Sequence, residues 1–578
     1  MGFEVDRRTL LKGSAALGVG AALAGAGTAV AETEESGRGL DSSILNEKWS
    51  FEIAPDPIPE DAIAETVDTA IVVVGAGPSG FSAALSALDA GEKDVIVLAK
   101  SSSWNALGGS MHAYNTTCAK NMGYEMTPDE ISHNMRKEWL NQGNNADHAK
   151  WARAAFASGE AVDWAASYVE ANGGRTVIEI GPQDEDGIYQ TGPVSHSFLG
   201  GTVTEAGGGI SLFLAAAEEQ IIAKGGQIFY DTCVERLIRE DDNKGRVSGC
   251  IASKADGSYV KYNASKGVIL ACGCISHDNE MLAKYAPAVY KAVQAGCTVS
   301  ACPTNTGDGL KMALWIGAAA QKNWPWACNY QTPPMHYANE KGSMWAMYRP
   351  YTFYPCLAVN QLGKRYMNED SGMGVYPFPQ MKQPDMISYA IWTSNMADEL
   401  APFTYLGFWY GDDCTVPSLS AEEVKQGWEN GIDDAPVVPA VVETAKFDTL
   451  DELAAHFDID AETLKKTVSD YNSYCEQGYD PECGKRSALL IPILEGEPIY
   501  CMKYLPLIAN VFGGPACDVD ARVLDTEGNP IPGLYEVGVM MGDLYGTNYT
   551  YLFPGANMGF WNITYGYLTG KGLAEGTI

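Results

Sequence analysis

The chain has 578 residues, 46% of them hydrophobic and 19% charged, and carries a formal net charge of −34 at pH 7. That length is more than one hydrophobic core serves, so two or three domains are expected. So acidic a protein excludes nucleic acid and anionic membrane as favoured partners. It leaves room for a basic protein partner, although a solubilising surface is the plainer reading of the charge.

Residues 1–31 read as a targeting segment. Asp6-Arg7-Arg8-Thr9-Leu10-Leu11-Lys12 is a twin-arginine motif, followed by a weakly apolar Ala/Gly stretch and the small-residue cleavage site Ala29-Val30-Ala31. The stretch is too short and glycine-rich for a membrane anchor, and no later run is long and apolar enough to span a bilayer. An extracytoplasmic destination is expected. The twin-arginine route carries folded proteins, which suits an enzyme that takes up a tightly bound cofactor before export. Residues 32–65, with Pro-Asp-Pro-Ile-Pro-Glu-Asp inside them, read as a linker or surface strap.

A first nucleotide-binding part is expected over 66–319. Ile71–Val74 is a wholly apolar run of the kind a buried parallel strand shows. Gly75, Gly77 and Gly80 give Gly-x-Gly-x-x-Gly, with Pro78 and Ser79 inside it, and open an Ala- and Leu-rich helix through Ala90. Asp94–Leu98 is a second buried strand. Strand, glycine turn, helix and strand together are the context that makes a dinucleotide fingerprint credible. Gly75 permits the tight turn, Gly77 clears room for backbone N–H groups to approach a pyrophosphate, and Gly80 lets helix and strand pack closely. The acidic residue that should hold the adenosine ribose, about 20 residues on, is replaced by Ala99 and Lys100, so Lys100, Ser101 or backbone must serve.

A second glycine-bearing loop follows, with Leu107, Gly108, Gly109, Ser110 and Met111. Ser211–Lys224 reads as an amphipathic helix. Gln227–Tyr230 and Cys233–Leu237 read as strands, the latter containing Val234. Arg246–Ser253 and Ser258–Tyr262 form a hairpin about Asp256-Gly257. Gly267–Ala271 is another buried strand, running into Cys272-Gly273-Cys274, and Thr306-Gly307-Asp308-Gly309 opens a helix through Ala320. Residues 324–415 are crowded with Tyr, Trp, Phe, Pro and Met. Leu450–Tyr474 is a polar helix pair with Asp460 as an N-cap. Strands and turns from about Tyr504 end in a glycine-rich tail. The 14 cysteines show no Cys-x-x-Cys repeat, so zinc, cluster and attached-haem sites are not expected and most thiols read as small buried residues.

In this order the motifs resemble the flavoprotein family of soluble fumarate reductase and the succinate dehydrogenase flavoprotein subunit, to which urocanate reductase and the 3-ketosteroid dehydrogenases also belong. The resemblance rests on Gly75–Gly80, Leu107–Ser110, Ala271-Cys272-Gly273, Thr306–Gly309, Val359–Glu369 and Ile531–Tyr535. It implies an α/β architecture: a Rossmann-like FAD-binding domain split in sequence (66–319 and 498–578) around an inserted α+β capping domain (320–497). It implies FAD as cofactor, with contacts carried over to the residues already named and to Gly538, Asn557 and Met558. Arg365 and Glu369 then brace the cap. His112 is a candidate for the flavin's neighbourhood, or else a buried hydrogen-bonded histidine.

The fumarate reductases clamp a dicarboxylate with two His and two Arg. Here those positions fall near Cys328, Met373, Asn510 and Phe553, and without an arginine clamp a dicarboxylate is not the expected substrate. Tyr551-Leu552-Phe553-Pro554-Gly555 instead looks like the Tyr-Pro-Gly-Pro-Gly motif of ketosteroid dehydrogenases. By that resemblance the Tyr551 hydroxyl and the Gly555 N–H bind a ketone oxygen. Tyr376, Tyr354 and Tyr549 are further candidate acids, and Arg349 lies near the family's relay arginine without matching its register. Reducing an activated C=C bond requires a polarised electron-withdrawing group, a proton donor and a site closed to water. The expectation is therefore an exported FAD enzyme that reduces an enone- or acrylate-type bond in a neutral or aromatic molecule, with electrons from an external donor such as a membrane-linked cytochrome. A ketosteroid-type dehydrogenase, or a flavin electron-transfer protein without substrate chemistry, are the alternatives.

Overall fold

The computed structural model describes residues 48–105, 108–179, 194–200, 209–297, 299, 301–329, 336–339, 342–345, 356–370, 377–400, 420–434, 443–549, 553 and 555–578. The chain divides into two units, Met1–Lys48 and Trp49–Ile578.

The second unit is built around an eight-stranded sheet. Strand β1 (Ile63–Val74) lies parallel to strand β2 (Val95–Leu98) on one side, Val74 facing Leu98 in register, and to Tyr259–Leu270 on the other. Ile71, Val72 and Val73 are fully buried because both faces of the sheet are covered. That is why the run carries no polar alternation, and each such side chain contributes about 1.5–3 kcal/mol by burial. Helix α1 (Pro78–Asp89) starts on a proline, whose missing N–H costs nothing at that position. It is buried nearly all round because the C-terminal helix Tyr565–Glu575 packs along it: a Cβ on Gly570 would overlap the Ala83 carbonyl oxygen. The glycine-rich end of the chain is therefore a docked helix and not a tail.

β1 begins at Ile63, inside the stretch expected to be linker. The strap before it is fastened down: Phe51 is buried, and Glu52 pairs with Lys284 at 2.6 Å. The hairpin about Asp256-Gly257 forms as read, with Val247–Lys254 antiparallel to the start of Tyr259–Leu270. The helix opened by Gly307-Asp308 stops at Trp315, short of Ala320, because Gly317 turns out of it at φ +91°.

A separate four-stranded antiparallel sheet carries the aromatic segment. Its order is Leu357–Asn360, Ser388–Thr393, Ile499–Tyr504, Glu443–Phe447. Trp392, Trp428 and Tyr500 pack on one face. The helix pair Leu450–Phe457 and Ala461–Gln477 covers the other, with the Asp460 carboxylate accepting the Thr463 N–H at 2.8 Å. Ile499–Tyr504 belongs to this sheet and lies past 497, where the second nucleotide-binding segment was expected to begin. The chain crosses between the two regions on an antiparallel pair, Trp326–Asn329 with Leu507–Val511. Among the described residues no helix is long and apolar enough to cross a membrane.

Candidate active site

A cleft opens at the carboxyl ends of β1, β2 and Tyr259–Leu270, where parallel sheets place ligands. Gly75, Gly77, Pro78, Ser79, Lys100, Val234, Ala271, Cys272, Gly273, Asp308, Asn557 and Met558 all line it. Gly75 stands at φ +121°, and a Cβ there would overlap the Ala271 carbonyl. No other residue fits. Gly77 has nothing closer than 3.7 Å to where its Cβ would be, which keeps the mouth of the turn open. Gly80 packs instead against the Gly75 carbonyl and Gly538 against Ser79, both bracing the turn from behind.

The second glycine loop leaves the cleft at Asn105 and is held by other contacts. Met111 is buried on a short strand beside His196, and the backbone of Ser110 and Met111 meets Gly555. Gly108 and Gly109 lead into that strand, and Gly109 lies against Gly209. Leu107, Arg349, Tyr354, Tyr376 and Tyr551 lie outside the described residues.

Tyr549 and Gly555 are both placed, in roles other than those expected. The Gly555 N–H donates to the Tyr549 hydroxyl at 3.0 Å, and that hydroxyl donates to the Phe553 carbonyl at 3.0 Å. The His112 N–H donates to the Gly555 carbonyl at 3.0 Å. The Gly555 N–H is therefore engaged inside the protein and not presented to a ketone oxygen. Burial pushes the Tyr549 phenol well above its usual pKa, which suits a brace better than an acid. Together these bonds tie Tyr549, Phe553, Gly555 and His112 to one another.

Asn557 opens a π-helical segment, Asn557–Thr564, an uncommon winding found mostly at functional sites. Its side-chain carbonyl oxygen is buried and has no hydrogen-bond partner in the protein, and the residue lines the cleft. A buried acceptor left unpaired costs about 1–3 kcal/mol, so a donor on a bound ligand is its natural complement. The glycine cradle and this open acceptor fit FAD.

Cys233 and Cys272 of the cleft, and Cys274 beside it, are protected thiols. Burial, then the Asp308 carboxylate, raises the Cys272 pKa, and burial with Glu235 raises that of Cys233 to about 11. Cys274 is buried beside the Ser276 hydroxyl at 2.9 Å. Packing, not redox exchange, is what these positions support. Sequence reasoning did not single out Cys302, Thr304, Asn305, Val539 or Asn562, which also line the cleft. Their signal was adjacency: the first three precede Thr306–Gly309, and Val539 follows Gly538.

Two relatives from Eggerthella lenta are similar over most of the chain. Urocanate reductase is 28% identical over 501 residues, covering 85% of this chain and 73% of its own. Digoxin reductase is 27% identical over 576 residues, covering 93% and 91%. The fold is shared with the 3-ketosteroid Δ1-dehydrogenase of Sterolibacterium denitrificans at a TM-score of 0.64 and 20% identity, over 88% of this chain and 100% of that one. Residues 70–551 match the FAD binding domain family, to which this chain, an FAD-dependent oxidoreductase, belongs.

Proposed function

We propose that the protein is an exported reductase that saturates an activated C=C bond, of enone or acrylate type, in a neutral or aromatic substrate. The relatives named as reductases of urocanate and digoxin support the reaction class. The observation that carries the substrate class is Phe553. Where a fumarate reductase would be expected to have a carboxylate-binding arginine, this side chain is buried, tilted against His112 at a ring separation of 4.6 Å and edge-on to Trp151 at 5.7 Å. It is committed to packing and offers no cation. Asn510, where a clamp histidine would fall, is a neutral amide on the cleft, and its side-chain oxygen accepts from the Cys274 thiol at 3.5 Å. Among the described residues these clamp positions offer no cation, and without cationic partners a dicarboxylate would shed its water for too little in return.

FAD, when bound, supplies the electron pair as a hydride equivalent. The work left to the chain is to polarise the acceptor, deliver a proton and keep water away. Tyr551 is the proposed group that polarises the acceptor oxygen, supported by the likeness of its sequence to the ketosteroid motif, and Tyr376 is the proposed proton donor. The twin arginines support export, and the acidic surface supports a basic external donor such as a membrane-linked cytochrome. Re-oxidation of the anaerobically reduced protein by α,β-unsaturated ketones or acrylates tests the reading; re-oxidation by fumarate alone contradicts it.

A further inference from the structure

The helix Pro128–Asn141 and the residue that caps it carry a buried polar stripe. Asn134, Glu138 and Gln142 follow at four-residue spacing, which puts them on one face, and all three are buried. The Gln142 side chain uses its whole hydrogen-bonding capacity, two donors and two acceptor sites. Its Nε2 donates to the Glu138 carboxyl at 2.6 Å and to the Asn548 carbonyl. Its Oε1 accepts from the Gly546 N–H at 3.0 Å and from the Thr547 N–H at 3.2 Å. The amide cannot be turned over, since its NH₂ would then face two N–H groups and its oxygen a carboxyl and a carbonyl. Gly546 permits the approach: a Cβ there would stand 2.6 Å from the Gln142 carbonyl oxygen.

One side chain thus fixes backbone groups of three successive residues, and the next residue is Tyr549. The Tyr549 N–H donates to the Trp326 carbonyl at 3.4 Å, and its hydroxyl accepts the Gly555 N–H, two residues before Asn557 of the cleft. We infer that Gln142 is a positioning residue of the reduction, with Glu138 orienting its amide: it sets the segment Gly546–Asn548, from which the chain continues to Tyr551. The inference rests on the reading of Tyr551 as the group that polarises the acceptor oxygen. Misplacing such a donor by about 1 Å costs on the order of 10²-fold in rate. Burial, then the Glu138 charge, raises the Tyr114 and Tyr549 phenols above their usual pKa, so neither titrates near neutrality.

The test uses the full-length, flavin-loaded protein, photoreduced under argon and re-oxidised by benzylideneacetone, an aryl enone, or by methyl cinnamate, an aryl acrylate. Gln142→Met is expected to lower the limiting rate at saturating acceptor by about 10–100-fold, while the acceptor concentration at half-maximal rate and the flavin absorbance ratio each stay within about 2-fold. Gln142→Glu is isosteric when neutral, and burial beside Glu138 pushes the new carboxyl's pKa up. Its rate is expected to match wild type at about pH 5 and to fall by about 10-fold or more toward about pH 8, a limb the wild-type profile lacks. A side chain that only stabilises the fold would lower the thermal midpoint and leave the rate of the loaded protein and its pH profile unchanged, and that result overturns the inference. Should the methionine variant fail to fold, the glutamate variant decides alone. In the Tyr551→Phe background the loss from Gln142→Met should shrink to about 3-fold or less. A full loss there keeps Gln142 in its role and overturns the reading of Tyr551, and wild-type protein that neither acceptor re-oxidises overturns both.

Discussion

The Tyr549 hydroxyl is tied to Gly555, accepting its N–H at 3.0 Å while donating to the Phe553 carbonyl at the same distance. Tyr549→Phe leaves both backbone groups without that partner, and a loss of about 1–2 kcal/mol is expected. A drop in the thermal midpoint should accompany a lower kcat. The shape of the pH–rate profile should not change, because Tyr549 orders the loop and does not titrate in it. A profile that loses a limb would make Tyr549 an acid after all.

Tyr551→Phe separates the two tyrosines. With the hydroxyl that polarises the acceptor oxygen removed, kcat should fall by about 10²–10³-fold while stability and flavin content stay as they were. A variant with unchanged turnover would pass the role to another group.

Gly75→Ala probes the cradle. The added methyl meets the Ala271 carbonyl, in a backbone conformation that alanine resists. The purified variant is expected to lose the yellow of bound flavin, as read from its absorbance ratio, and a fully loaded variant would show that the turn can shift.

Glu536 is fully buried and receives the Gly542 N–H at 3.1 Å. Burial raises its carboxyl pKa to about 8 against the smaller lowering by Cys517, Gly542 and Lys150, while Asp543 adds to the rise. The folded state thus holds a proton that the unfolded chain gives up near pH 4.5. Stability from this group falls as pH rises from there toward 8, by about 1.4 kcal/mol per unit. Glu536→Gln should flatten that slope in denaturant titrations between pH 5 and 8. An unchanged slope would show the carboxyl to be ionised.

Arg365 is buried between Glu369 at 2.7 Å and Asp480 at 2.8 Å. Burial alone would raise the Asp480 pKa, but the Arg365 hydrogen bonds, the Lys485 and Cys483 N–H groups and the Arg365 charge together outweigh it and bring it down to about 2. The stability this adds is present above the ordinary carboxylate pKa and is lost as pH falls toward 2. Arg365→Met takes the guanidinium from two buried carboxylates, leaving Glu369 only Lys485 at 3.7 Å as a cation, and a cost of about 3 kcal/mol is expected in equilibrium unfolding.

The nucleotide cradle was legible in the sequence because local rules decide it. An apolar run, a glycine at a forced turn and a helix with small residues are each visible within a dozen positions, and Gly75, Gly77 and Ala271 lie together as that reading requires. What could not be read was decided by distant contacts. The C-terminal helix hides in a glycine-rich stretch, since Gly566 and Gly570 serve its packing on α1 rather than its own propensity. The engagement of the Gly555 N–H by Tyr549 depends on how one loop closes on itself, and hydrogen-bond direction leaves no periodic trace. Asp308 was recognised by motif, yet its pairing with Lys100 joins residues from opposite ends of the nucleotide domain's first segment.

The most direct measurement is the rate at which the photoreduced protein, kept under argon, passes its electrons to a panel of α,β-unsaturated ketones, aryl acrylates and fumarate. Fastest re-oxidation by a neutral or aromatic acceptor is the predicted result. Fumarate as the fastest acceptor, or a reduced flavin that no unsaturated compound re-oxidises, would contradict it.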